Sequence, residues 1–363
     1  MRSENPKKKP MDISKLARPH ILALKPYTSA RDEFSGEASV YLDANENSFG
    51  SVIDGDWHRY PDPLQGEVKK GIGEIRGIKE ENIFLGNGSD EAIDLLYRIF
   101  CEPETDKVLL LPPTYGMYQV SADIHGVETV SVPLTSSFQP DVEAVLEAIK
   151  FHHPKLIFLC SPNNPSGNCF ESASMRRILE AATGIVVIDE AYIDFAIAET
   201  TLPLLEEFPN LVVMQTFSKA WGLAALRLGM AYASPKIIHL LNKVKPPYNV
   251  NALTQEKALE ALSNVEKKNE VVNEILRLRR DLAEKLHQHP LVVRVYPSDA
   301  NFLLVKTVDA EGIYKELIGL GVIVRNRSKV TLCEDCLRIT IGTATENLVL
   351  IESLDQLIPQ YNW

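Results

Sequence analysis

The chain has 363 residues, 45% of them hydrophobic and 24% charged, with 19 Gly and 22 Pro; this supports two folded domains with a large apolar core and excludes a disordered or fibrous chain. Its 38 Lys and Arg stand against 49 Asp and Glu, a net charge of -11, which argues against a broad cationic face for nucleic acid. Five cysteines are an odd and sparse count, and the isolated Cys101, Cys160 and Cys169 read as reduced thiols of a cytoplasmic protein; no apolar run has the length of a membrane span, and the first twenty residues lack the apolar stretch of a secretory signal.

In chain order, Lys7, Lys8 and Lys9 between prolines read as a solvated arm without a function of its own. A helix is expected over Ser89 to Phe100, with Ser89 as N-cap and Ile93, Leu96, Tyr97 and Phe100 at helical spacing, so that its N-terminus points at the preceding Gly-Asn-Gly loop. Apolar runs VLLLP at 108, KLIFLC at 155, IVVID at 185, LVVMQT at 211 and LRLGMAYA at 226 have the cadence of crossover units on a buried, largely parallel sheet. Asn251 to His289 lacks Gly and Pro and reads as one long helix or two nearly continuous ones. Beyond it, strands at VVRVY (292), NFLLVK (301), VIVRN (322) and LRITIG (337), with helices near 309–318 and after a Thr343–Glu346 capping box, make a smaller α+β domain.

Sheets of this kind bind ligands at the carboxyl ends of their strands. There stand SPNNPSG (161–167), DEAY (189–192) and FSKAWGLAALRLG (217–229), which would bring a carboxylate, a phenol, an amide, a hydroxyl and a lysine to one rim. Singly, Lys219 reads as a surface lysine, Asp189 as a turn or cap residue and Asn164 as a turn former before Pro165. Together they meet the needs of pyridoxal 5'-phosphate: an amine for its aldehyde, a carboxylate opposite its ring nitrogen, donors to its phenolic oxygen and an anion site for its phosphate.

The strings LDANENSFG, RYPDP, NIFLGNGSDEAIDLL, PTYGMYQVSA, SPNNPSGN, DEAYIDF, SKAWGLAALRLGMA, KPPYNVN, ANFLLVK, VRN and CLRITIG, in register from about residue 18 to 350, resemble those of the histidinol-phosphate aminotransferases, fold-type I enzymes that use this cofactor. The resemblance implies a large domain (38–250) with a mostly parallel seven-stranded sheet covered by helices. It implies also a small C-terminal domain (251–363) that includes the connecting helix, and an arm and small-domain segment at 1–37. It implies transfer of an amino group between L-histidinol phosphate and 2-oxoglutarate or glutamate. Lys219 would bond the cofactor aldehyde and move the substrate proton, and Asp189 would face the ring nitrogen. Tyr192 and Asn164 would reach the phenolic oxygen and Tyr115 the ring face. The phosphate would take the backbone of Gly88, Ser89 and Asp90, the hydroxyls of Thr216 and Ser218, and Arg227. Ser89 as a mere helix cap and Tyr115 as a core aromatic stay open beside these roles.

Arg338 and Arg325 would bind the substrate anion together with Asn164, with Tyr27 as a cover. Structural ion pairs for the arginines and loop packing for Tyr27 are the alternatives. Tyr60 resembles the tyrosine that reaches a neighbouring subunit's cofactor phosphate, implying a homodimer with shared active sites. Three residues depart from the family pattern: Ser48 replaces Pro, Ser166 replaces Thr, and Ala225 replaces Gly, adding a methyl in the turn before Arg227. An aromatic or broad amino-acid aminotransferase and an amino-acid phosphate decarboxylase use the same scaffold, and a turnover-free regulator is the alternative outside enzymes. Cys333 and Cys336 have the spacing of half a zinc site, but no second pair completes it, so no metal is expected.

Overall fold

The computed structural model describes residues 11–27 and 38–361. Its elements are α1 (Pro19–Ala23), α2 (Gly66–Arg76), β1 (Ile83–Asn87), α3 (Gly88–Phe100), β2 (Lys107–Leu110), α4 (Met117–Ile124), β3 (Glu128–Ser131), α5 (Val142–His152), β4 (Leu156–Cys160), α6 (Ser172–Ala181), β5 (Ile185–Asp189), β6 (Leu211–Thr216), β7 (Leu228–Ala233) and α7 (Pro235–Val244). There follow α8 (Ala252–Leu262), α9 (Val265–Gln288), β8 (Val292–Val295), β9 (Phe302–Thr307), α10 (Ala310–Gly319), β10 (Arg325–Asn326), β11 (Cys336–Thr340) and α11 (Ala344–Leu357).

Seven strands form the large sheet in the order β1-β7-β6-β5-β4-β2-β3, all parallel except β7, which runs against both neighbours. Every residue of β4, β5, β6 and β7 is buried, as a sheet covered on both faces requires. One apolar cluster lies on each face, and α3 contributes Ile93, Leu96, Tyr97 and Phe100 to one of them. The second sheet, β10-β11-β9-β8, is antiparallel and packs its own core against α9, α10 and α11. A bridging cluster joins Tyr192, Phe195 and Ala220 to Val272 on α9 and to Ala300 and Phe302. The end of β5 is thereby anchored to the smaller unit.

Four expectations need correction. Helix α3 begins at Gly88 with Asn87 at the cap position and no side-chain capping bond, so Ser89 sits inside the first turn. The run at 226 becomes strand only at Leu228, because Ala224–Leu226 makes a 3-10 turn and Arg227 takes a left-handed backbone (φ 52°). Pairing of the VIVRN run is confined to Arg325 and Asn326: Val322 and Val324 pack on the small core, while Ile323 faces solvent. Of the segment 1–37, grouped by sequence with the small unit, the described residues 11–27 pack instead on the large sheet, where Ile13, Ala17 and Ile21 are buried and Arg18 pairs with Glu102 at 2.9 Å; Lys7, Lys8 and Lys9 lie outside the described residues. Of the two readings left open for Asn251–His289, the structure takes the second: α8, capped by Asn251, and α9 are two nearly continuous helices, parted at Ser263 and Asn264.

Candidate active site

Eleven of the expected residues line a single cavity at the carboxyl ends of β4, β5 and β6: Gly88, Ser89, Asp90, Tyr115, Asn164, Asp189, Tyr192, Thr216, Ser218, Lys219 and Arg227. At its floor, Asp189 is 3% exposed. Tyr118 donates to its Oδ2 at 2.6 Å and the Ala191 N–H to its Oδ1 at 3.0 Å. Burial outweighs these bonds and pushes the carboxyl up to about 6. Tyr118 is itself fully buried and stacked on Phe158 (4.5 Å between centroids); sequence spacing gave it no sign beyond that of a core aromatic.

Lys219 lies across the cavity, its Nζ 5.6 Å from the centroid of the Tyr192 ring. Burial first, then the charge of Arg338, holds its ammonium below the ordinary lysine value, against the opposing pull of Asp189. Asn164 ties two partners together: its amide donates to the Tyr192 hydroxyl at 3.4 Å, and Arg338 donates to its Oδ1 at 2.6 Å. The loop that presents it is fixed at both ends, by Asn163 to Pro113 O (3.0 Å) and by Asp299 N–H to Gly167 O (2.7 Å).

One end of the cavity is built for an anion. The first turn of α3 opens on it, Arg227 stands beside it with its guanidinium 2.7 Å from where a Cβ on Gly88 would lie, and Gly88 has φ 71°, a left-handed backbone that side chains rarely adopt. Gly229 is required for the same approach: a Cβ there would run into Ser89 N and the Gly88 backbone. Asp90 turns its carboxylate to Tyr115 (3.2 Å) and Arg227 (3.5 Å), and the Thr216 hydroxyl serves the turn, donating to Leu228 O and accepting from Ser218 N–H. Ala225 does not reach this cavity; it lines an outer groove with Trp221 and Leu226. Buried acid, amine, phenol and anion cradle match the donor set that a phosphorylated pyridine aldehyde needs.

A second, wider cavity shares Tyr115, Asn164, Tyr192 and Lys219 with the first and adds Arg325 and Arg338. It also holds Arg327 and Lys329, which no sequence motif singled out. Tyr27 and Tyr60 are not brought in. Tyr27 is 73% exposed beside Pro63 and Lys243, and Tyr60 stacks on Tyr248 (4.5 Å) in a separate surface groove. Cys333 and Cys336 are buried free thiols, pushed by burial up to about 12 and about 11.

The profile of the family described as aminotransferase class I and II matches residues 38–354. The histidinol-phosphate aminotransferase of Cytophaga hutchinsonii is 54% identical over 342 residues, 94% of this chain and 98% of that protein; the enzyme of that name from Parabacteroides distasonis is 53% identical over 346 residues, 95% and 99%. Among solved structures, the histidinol-phosphate aminotransferase of Sinorhizobium meliloti, in complex with pyridoxal-5'-phosphate, superposes with a TM-score of 0.79 at 24% identity, covering 94% of this chain and 98% of that one. With the profile spanning most of its length and relatives above half identity, the chain belongs to the histidinol-phosphate aminotransferases within the class I and II aminotransferase family.

Proposed function

We propose that the chain is a pyridoxal-phosphate-dependent transaminase that moves an amino group between L-histidinol phosphate and 2-oxoglutarate in two half-reactions, in the cytoplasm and on the route to histidine. The observation that carries this reading is the buried Asp189 and the amine of Lys219 facing one cavity beneath a cationic mouth. When bound, pyridoxal phosphate supplies an aldehyde for the substrate amine and a ring that accepts the electron pair left by the departing α-proton.

The protein's own groups do the rest. Asp189, held by Tyr118, keeps a negative charge against the ring nitrogen. Lys219 moves the proton, for which burial suits it by favouring the neutral amine. Tyr192 and Asn164 take the phenolic oxygen and Tyr115 the ring face. The Gly88, Ser89 and Asp90 backbone, Thr216, Ser218 and Arg227 take the cofactor phosphate. Arg338 and Arg325, with Asn164, take the anion of each substrate, since both donors present one and neither resembles the other elsewhere.

Two features support a homodimer in which Tyr60 reaches the partner's site. Tyr60 lies outside the chain's own cavity, and the segment before it leaves Leu42 82%, Phe49 101% and Val52 99% exposed, apolar surface that a second copy would cover. In this reading residues 38–250 form the large unit and 251–363 the small one. Borohydride reduction of the holoenzyme followed by peptide mapping tests the site, with the label expected on Lys219. Single half-reactions followed by cofactor absorbance test the substrates: conversion by both histidinol phosphate and glutamate is expected, whereas released carbon dioxide would indicate a decarboxylase.

A further inference from the structure

Resting on that reading of the reaction, we infer that Arg327 is a specificity residue, a third guanidinium that grips the phosphate of the phosphorylated donor and favours it over glutamate. The argument begins with strand register. Arg325 on β10 lies directly opposite Arg338 on β11, so two like charges share one face of an antiparallel pair, an arrangement that costs stability unless something anionic lies between them. Arg327 is two residues beyond Arg325, and its N–H continues the ladder to Cys336 O at 2.8 Å. Alternation along an extended strand turns its side chain to the same face. All three guanidinium groups line the wider cavity, as do Lys219 and Lys329, and no Asp or Glu is among the lining residues.

The three are not equally served. Arg338 has Asn164 as an acceptor and the Phe302 ring at 5.3 Å. Arg327 has a buried Nε without a hydrogen-bond partner among the described residues. Burial, then the charges of Arg338 and Arg325, brings it down to about 10. The nearby thiols of Cys333 and Cys336 are neutral at physiological pH and offer it no countercharge. Its loop is not free to swing away, because Val330 N–H bonds Arg327 O at 2.8 Å and the two cysteines beyond are fully buried. No acceptor among the described residues serves that Nε, and an anion in the cavity that Arg327 lines would bring one to the same guanidinium. A carboxylate has two oxygens and is satisfied by one forked guanidinium. A phosphate monoester has three terminal oxygens and carries about -1.5 to -2 at pH 7, enough to engage a third.

The test uses the holoenzyme and measures kcat and KM of each half-reaction, with histidinol phosphate and with glutamate, for wild type and Arg327→Gln. The ratio of kcat/KM values, phosphorylated donor over glutamate, is expected to fall at least tenfold, through KM for the phosphorylated donor. Arg327→Lys, which retains charge without the fork, is expected to recover part of that ratio and carries the same test if the glutamine variant misfolds. Equal losses with both donors, or none, overturn the role of Arg327. A wild type that converts glutamate but not histidinol phosphate overturns the reading of the reaction instead.

Discussion

Asp189→Asn should make the cofactor-free protein more stable while it disables turnover. The carboxyl is lifted from an ordinary 3.8 to about 6 because burial disfavours its charge more than Tyr118 and Ala191 favour it. At about 1.4 kcal/mol for each tenfold change in proton affinity, that is on the order of 3 kcal/mol. The sign follows from which state retains the proton. Below about pH 4 both folded and unfolded chains carry it, and ionisation costs nothing. Between about 4 and 6 the folded chain keeps a proton that the unfolded chain has released, so stability falls as pH rises, and above 6 the loss is complete. Asparagine avoids this cost and preserves the geometry: its carbonyl oxygen accepts from Ala191 N–H, and the Tyr118 phenol oxygen can accept from its amide. Unfolding of both proteins without cofactor should show the variant ahead by roughly 3 kcal/mol at pH 7.5 and by about half as much at pH 5. In the holoenzyme the same change should lower kcat by about 10² or more, as loss of a preorganised charge does. An asparagine variant that is less stable at pH 7.5, or whose advantage does not shrink on acidification, would refute the reasoning.

Gly229→Ala should destabilise the fold by about 1–3 kcal/mol and weaken cofactor binding, because the new methyl meets the backbone of Gly88 and Ser89, which cannot yield as a flexible side chain would. Thermal unfolding and cofactor titration check it, and retention of both properties would show that β7 and α3 have more room than their spacing indicates. Ala225→Gly should leave cofactor affinity within about twofold, since that methyl faces the outer groove with Trp221. A several-fold gain on equilibrium titration would show that the methyl crowds the turn that carries Arg227.

What could be read from residues alone follows from where each signal lives. Asp189 ends the fully buried strand β5, and Asn164 and Lys219 follow the fully buried β4 and β6 within one loop, so a sheet whose ligands gather at strand ends brings them together. Strand β3, Glu128–Ser131, was missed because it is a half-exposed edge with no apolar run, and β1 because Gly86 and Asn87 merge it into the turn that opens α3. Tyr118 was illegible for a different reason. A tyrosine on the buried side of α4 reads as packing, and only the fold shows that its hydroxyl ends 2.6 Å from Asp189. Arg327 lies in a polar stretch after a two-residue strand, where sequence offers no period to say which way it faces. Tyr60 and Tyr27 carry family resemblance but no local signal, and within one chain they stay at the surface.

The two ends of the site share one electrostatic logic. Its floor holds a buried carboxylate whose bonds to Tyr118 and Ala191 do not offset its desolvation, and its mouth holds cations without an acid among them. The opposite charges are kept apart: Asp189 is engaged by donors on its own side, and Arg338 by Asn164, so neither neutralises the other. Each half is therefore unfavourable alone, and each is relieved only by a molecule that presents a cationic ring nitrogen below and anionic groups above. A site strained in this way gives up fold stability in exchange for selective binding, and the molecules that relieve the strain must stabilise the folded chain by mass action. Lys219 lies between the two: burial first and then the charge of Arg338 lower its proton affinity, against the opposing pull of Asp189, which favours the neutral amine.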